Sequence, residues 1–268
     1  MANAIDAEVD YNARAMVPEH PAIIAGWARD AAAFRAAHAA AELEVAYGPT
    51  PRQVLDLFWP RPARDAPMAL FIHGGYWQGL DKNFSSHLAR GLLAHGVAVA
   101  VPSYDLCPQV TLADIVEQMR RAAAFLHQRH GRRLLAIGHS AGGHMAAMLM
   151  ATDWRARGLP SDLVPAALPI SGLFDLVPLV DTSMNAAIRL DADEARRLSP
   201  AFVPRPAGRL HAVVGGDEGA GFARQSRLIA EAWGGAWESL PGHNHFTIVG
   251  ELADPASAIV RKAVDLLT

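Results

Sequence analysis

The sequence predicts an α/β protein whose mostly parallel central sheet is covered by helices on both faces. Three observations carry that expectation. Short apolar runs recur at 68–72, 97–101, 134–137, 166–170 and 210–214, without the polar alternation of a half-exposed strand. Segments of helical periodicity lie between them. With 268 residues, 51% hydrophobic and 19% charged, the chain can bury such a sheet without disulfides or a structural metal.

The elements follow in order. An N-terminal helical segment spans about 1–45, its main helix at 20–45 marked by Ile23, Ile24, Trp27, Ala31, Phe34 and Leu43 at near-helical spacing. A turn cluster, Tyr47-Gly48-Pro49-Thr50-Pro51, leads into a short strand at 54–59 closed by Pro60. The strand at 68–72 ends in a glycine pair, and Leu88, Leu92 and Leu93 mark the next helix. After the strand at 97–101, a helix at 112–126 starts at the capping residue Thr111. The strand at 134–137 runs through a sharp turn into a helix at about 141–150. Strands at 166–170 and 210–214, a helix at 222–233, a strand at 236–240 and a helix at 255–267 complete the alternation. Residues 171–206 do not fit it and read as a small cap-like insertion over one end of the sheet, within a single domain of 1–268.

Several function classes are excluded by composition. A net charge of −3 with no basic block gives no footprint for nucleic acid. The lone Cys107 rules out a disulfide framework and cysteine-rich metal sites. The first ten residues carry Asp6, Glu8 and Asp10 but no lysine or arginine, unlike a secretory leader. The longest apolar stretch, 166–180, is broken by Pro169, Asp175 and Pro178, so no membrane span is expected. The expected setting is the cytoplasm.

Chemistry concentrates at two glycine-rich turns. Gly138-His139-Ser140-Ala141-Gly142 is a Gly-x-Ser-x-Gly pattern lying directly between a strand and a helix, the setting of a nucleophile elbow. The blander reading is a tight turn with a capping serine. His73-Gly74-Gly75-Tyr76-Trp77 follows the strand at 68–72, where glycines let backbone N–H groups face a developing oxyanion. A serine needs a base and a group to orient that base. Chain order in such sites is serine, acid, histidine, and spacing offers Asp217 or Glu218 as acid and His243 or His245 as base.

These motifs resemble the kynurenine formamidase-like branch of the α/β-hydrolase fold. The resemblance rests on His73-Gly74-Gly75-x-Trp77, on Gly138-His139-Ser140-Ala141-Gly142-Gly143-His144, and on Tyr47-Gly48-Pro49 with Leu55-Asp56-Leu57. Ser171-Gly172-Leu173-Phe174-Asp175 and Phe222-Ala223-Arg224-Gln225-Ser226 add to it, so it spans about 45–250. It implies oxyanion amides from Gly75, Tyr76 and Ala141, a catalytic Ser140, the histidine His245 and the acid Glu218 over Asp217. It further implies a cofactor-free hydrolase taking a small acyl group, formyl at the extreme, from an aryl amine of the N-formylkynurenine type. A carboxylesterase for short acyl esters would use the same machinery, and a binding protein on the same fold is the alternative from another class.

Other residues are expected to stand outside the chemistry. His139 and His144 lack companion ligands at metal spacing, and no metal or nucleotide site is expected. Cys107 reads as a small buried filler. Trp77 is a candidate to line the substrate pocket, with packing of its loop onto the core as the alternative. The helix around Trp27 and Phe34 has two readings, a cover for the pocket or a face for a second copy in a homodimer, and its spacing favours neither.

Overall fold

The computed structural model describes residues 6–62 and 65–268. Three helices, α1 (Ala7–Tyr11), α2 (Ala13–Met16) and α3 (His20–Ala37), precede the strands β1 (Ala41–Ala46) and β2 (Val54–Phe58). Then come β3 (Met68–Ile72), α4 (Ala89–Ala94), β4 (Ala98–Pro102), α5 (Leu112–His130), β5 (Leu134–His139) and α6 (Ala141–Met150). Two short helices, α7 (Asn185–Ile188) and α8 (Ala192–Arg197), follow β6 (Ala166–Ile170). The chain ends with β7 (Arg209–Gly215), α9 (Ala220–Trp233), β8 (Ala236–Leu240) and α10 (Ala258–Leu267).

The strands form one sheet ordered β1-β2-β4-β3-β5-β6-β7-β8. Only β1 with β2 and β2 with β4 pair antiparallel; the remaining five pairings are parallel. Alternate side chains of β3 serve opposite faces, as the period of two requires. Leu70 and Ile72 join Ile115, Met145 and Phe222 of α5, α6 and α9 on one side. Ala69 and Phe71 join Phe34, Leu92 and Ile259 of α3, α4 and α10 on the other. Both faces of the central strands are thereby buried, which is why their sequences read as unbroken apolar runs.

Two expectations need correction. Residues 41–46, read as the end of the first helix, form the edge strand β1, and α3 stops at Ala37. Ala-Glu-Leu-Glu-Val-Ala is a run of helix formers, but pairing Ala41 with Phe58 and Glu42 with Leu57 satisfies the free edge of β2. Tertiary pairing outweighs a propensity of a few tenths of a kcal/mol per residue (on the order of 0.2–0.7). The N-terminal helical segment is also three helices rather than one, and its residues 1–5 lie outside the described residues. Elsewhere boundaries shift slightly: α5 runs on to His130, where Gly131 in the left-handed region ends it, and its start is the capping box of Thr111 with Asp114. Residues 171–206 hold α7, α8 and short 3-10 turns. Among the described residues no helix is long and apolar enough to cross a membrane.

The C-terminal ends of β3, β5, β6, β7 and β8 open toward one rim. In an open parallel sheet that rim is where ligand-binding loops gather.

Candidate active site

Ser140 occupies the turn between β5 and α6 with φ 56° and ψ −119°. The turn closes so tightly that only glycine fits beside it. A Cβ on Gly138 would lie 2.0 Å from the Gly142 carbonyl oxygen, and one on Gly142 would lie 2.0 Å from that of Ile72. A strained left-handed serine costs on the order of 1–3 kcal/mol and lifts its side chain clear of the helix it precedes. The Ser140 N–H donates to Ile170 O at 2.8 Å, which ties the turn to β6. Because α6 begins at Ala141, the free N–H groups and positive end of that helix lie beside the hydroxyl.

His245, on the loop after β8, brings its Nε2 to 3.0 Å from Ser140 Oγ. Its Nδ1 lies 2.6 Å from Glu218 Oε2, and both side chains are nearly inaccessible, at 6% and 1% exposure. With Glu218 ionised, Nδ1–H donates to the carboxylate and Nε2 is left to accept from the serine. The other carboxylate oxygen accepts from Gly215 N at 2.6 Å and from Ser171 Oγ. Spacing alone left two acids and two histidines open, and the geometry separates them. Asp217 is exposed with its N–H on His243 O, and His243 sits 3.7 Å from Glu251.

The loop after β3 lies against the serine. A Cβ on Gly74 would sit 3.0 Å from Ser140 Cβ, and Gly75, Tyr76 and Trp77 all adopt positive φ, at 107°, 52° and 56°. At Gly75 glycine is required, since a Cβ would meet the Gly79 carbonyl at 2.3 Å. The loop is pinned by Tyr104, whose hydroxyl donates to His73 O at 3.0 Å, by Cys107 N–H on Trp77 O at 2.8 Å, and by the Tyr76 hydroxyl on Tyr11 O. Burial raises the Tyr76 hydroxyl well above its ordinary pKa, so it stays a donor.

Neighbouring imidazoles are structural. His139 Nε2 bonds His245 O at 2.8 Å, and burial, with a smaller electrostatic contribution from the adjacent His245 ring, pushes its pKa down to about 3. His73 stacks on Tyr104 at 4.2 Å and His144 bonds Leu198 O at 2.8 Å; burial lowers both to about 4. Among the described residues no group of three or more His, Cys, Asp or Glu is arranged to hold a metal ion. Burial raises the Cys107 thiol to about 11, so it is no thiolate at neutral pH.

A cavity of about 30 Å³ adjoins Ser140 and His245, with Ile24, Trp27, Leu80 and Phe246 among its walls. Trp77, expected as a pocket residue, is not one of them. It is fully buried beneath the loop, edge-on to His144 at 5.2 Å, because its positive φ turns the side chain into the core. The aromatic walls are Trp27, Tyr76 and Phe246, and with Ile24 and Trp27 among the lining α3 covers the cavity, the first of its two readings. Sequence reasoning did not place Ser171, Arg14 or Phe246 at the site. Ser171 and Phe246 carried a signal, the first in its position directly after a buried strand and the second in its place next to His245, and Arg14 carried none.

A serine, an imidazole and a carboxylate in hydrogen-bonded line at the strand ends of this sheet define a hydrolase of the α/β-hydrolase type. The family model BD-FAE matches residues 55–168. The kynurenine formamidase of Salmo salar is 32% identical over 227 residues, 79% of this chain and 77% of its own, and that of Danio rerio is 30% identical over 226, at 79% and 77%. The chain belongs to the kynurenine formamidase family. A solved structure from Silicibacter sp., described as a candidate thioesterase, superposes with a TM-score of 0.89 at 34% identity, covering 97% of this chain and 100% of the other. Membership of a family of hydrolases sets aside the binding-protein alternative.

Proposed function

We propose that the protein hydrolyses N-formylated aryl amines of the N-formylkynurenine type, with Ser140, His245 and Glu218 as its catalytic residues. The observation that carries this reading is the unbroken line from Ser140 Oγ through His245 to Glu218. The kynurenine formamidases among its relatives support the substrate class, and a cavity of about 30 Å³ beside the serine suits a formyl group.

In this mechanism Ser140 Oγ attacks the formyl carbon while its proton passes to His245 Nε2. Glu218 holds the imidazole in the tautomer that can accept and stabilises the imidazolium that results. The amides of Gly75, Tyr76 and Ala141 receive the oxyanion. The C–N bond breaks as His245 returns the proton to the departing amine. Water, deprotonated by the same imidazole, then cleaves the formyl-serine and releases formate. Residues 171–206 act as a cap; Gln78 of the oxyanion loop donates to Met184 O at 2.7 Å, and Ser183 donates to Glu8 at 2.8 Å. A cytoplasmic setting accords with the single buried thiol, Cys107.

The test compares kcat/KM on N-formylkynurenine with p-nitrophenyl acetate and butyrate, alongside labelling by a fluorophosphonate. The expected result is a Ser140 adduct and a formamide preference of at least tenfold. A strong preference for the esters would replace the formamidase reading with a short-chain carboxylesterase, and an adduct absent from Ser140 would remove the serine mechanism.

A further inference from the structure

The Ser140 cavity has apolar walls at Ala13, Ile24, Trp27, Leu80 and Phe246, and among the described residues that line it Arg14 is the one side chain with a permanent positive charge. The other titratable nitrogens there are committed. His139 is kept neutral by burial and bonded to His245 O, and His245 is spent on Ser140 and Glu218. Arg14 is exposed, and among the described residues it has no ion pair and no side-chain hydrogen bond. Arg224, by contrast, is paired with Asp10 at 2.8 Å.

The backbone beneath Arg14 is fixed. Asn12 caps α2 through the Ala15 N–H, and Tyr11, Ala13 and Val17 on either side are buried. A guanidinium in the wall of this pocket, with no carboxylate partner among the described residues, is free to turn its planar fork to whatever occupies the pocket. That fork matches a carboxylate with two parallel hydrogen bonds. The acyl carbon must lie at Ser140, and with an acyl group as small as formyl or acetyl the part of the substrate long enough to reach a guanidinium in the cavity wall is the leaving group.

We propose that Arg14 is a specificity-determining residue that receives a carboxylate carried by the leaving group, so that the enzyme prefers acylated aryl amines and aryl alcohols bearing an anionic group. The proposal rests on Ser140 as the nucleophile and not on the nature of the scissile bond. No covalent step is added, since the contact acts in binding and orientation.

The test uses two aryl esters that differ by one carboxylate, phenyl acetate and 4-acetoxybenzoate, on the unmodified protein and on Arg14→Met, Arg14→Lys and Arg14→Glu. The ratio of kcat/KM for the anionic over the neutral ester is read for each, so that the electronic effect of the carboxylate on the ester cancels between proteins. The ratio falls by roughly tenfold or more in Arg14→Met, mainly through KM, recovers in part in Arg14→Lys and falls furthest in Arg14→Glu. It also shrinks at high salt in the unmodified protein, as a solvent-exposed ion contact requires. A ratio unchanged within twofold across all four proteins overturns the proposal. Should Arg14→Met not fold, inhibition of the unmodified protein reads the same contact, and benzoate competing no better than benzamide overturns it. Ester turnover with no formamide turnover refutes the N-formyl substrate while leaving this ratio readable; no adduct and no ester turnover sinks both.

Discussion

Glu218 is proposed over Asp217 as the orienting acid for a reason of reach. Its extra methylene lets one carboxylate meet His245 Nδ1 with Oε2 while Oε1 takes the Gly215 N–H and the Ser171 hydroxyl. Asp217, one residue earlier, faces solvent. Glu218→Gln therefore lowers kcat by roughly 10³–10⁴-fold, because an amide can present the wrong hydrogen-bonding partner to Nδ1 and favour the wrong tautomer, whereas Asp217→Asn keeps near-full activity. Steady-state kinetics on the two variants decide this, and the reverse pattern would move the acid to Asp217. Ser171 is a positioning residue at this carboxylate, fully buried and held at φ 50° directly after β6. Ser171→Ala removes one of three hydrogen bonds to the charge, and a charge-assisted bond is worth about 1.5–3 kcal/mol. The expected outcome is a kcat about tenfold lower with KM little changed and Ser140 still labelled by a fluorophosphonate. A change confined to KM would show that Ser171 does not act through Glu218.

At the scale of elements, the antiparallel edge of the sheet is tied to the loop after β3 by one buried cation. Lys82 has 2% side-chain exposure and lies 2.9 Å from Asp56 of β2, itself at 0%, while Glu44 of β1 supplies the second carboxylate. Lys82→Met leaves Asp56 buried beside no counter-charge, at a cost of about 3–5 kcal/mol. Chemical denaturation should show that loss, and Lys82→Met with Asp56→Asn together should recover part of it. Equal losses in the single and double variants would mean that the pair is not coupled. Nothing in Leu80-Asp81-Lys82-Asn83 signals this role, because a lysine in a polar turn reads as a solvated one. The central strands were legible for the opposite reason. Burial on both faces leaves β3, β5 and β6 as continuous apolar runs, and the glycines next to Ser140 and Gly75 are forced by backbone contact. β1 was hidden because an edge strand with partly exposed residues follows helix-forming composition, and the cavity wall was legible only as one of two readings of the helix around Trp27, because Arg14, Trp27 and Phe246 meet only through long-range contacts.

Across the whole molecule, the imidazoles that frame the site without taking part in its chemistry set the acid limit of the fold. His73, His139 and His144 are buried and remain neutral down to about pH 4, 3 and 4, because burial penalises their charged forms. In the unfolded chain each takes up a proton near pH ~6.5. Their folded pKa values lie below the unfolded one, so the unfolded state binds more protons in the interval between. Stability is then complete above about pH 6.5 and is lost as the pH falls toward 4, where the native state begins to protonate as well. Each such proton contributes about 1.4 kcal/mol per pH unit, so with His87, which burial also lowers to about 4, four rings give a slope of about 5 kcal/mol between pH 6 and 5. For a chain of this size that is a drop in Tm of roughly 10 °C over that unit. His144→Gln, which can still donate to Leu198 O, should flatten the slope by about a quarter, since it removes one of the four protons and lies outside the Ser140 cavity. Thermal melts from pH 8 to 5 measure both effects. A Tm that is level from pH 7 to 5 would mean that these four rings charge inside the folded protein, and an unchanged slope in His144→Gln would remove that ring from the set.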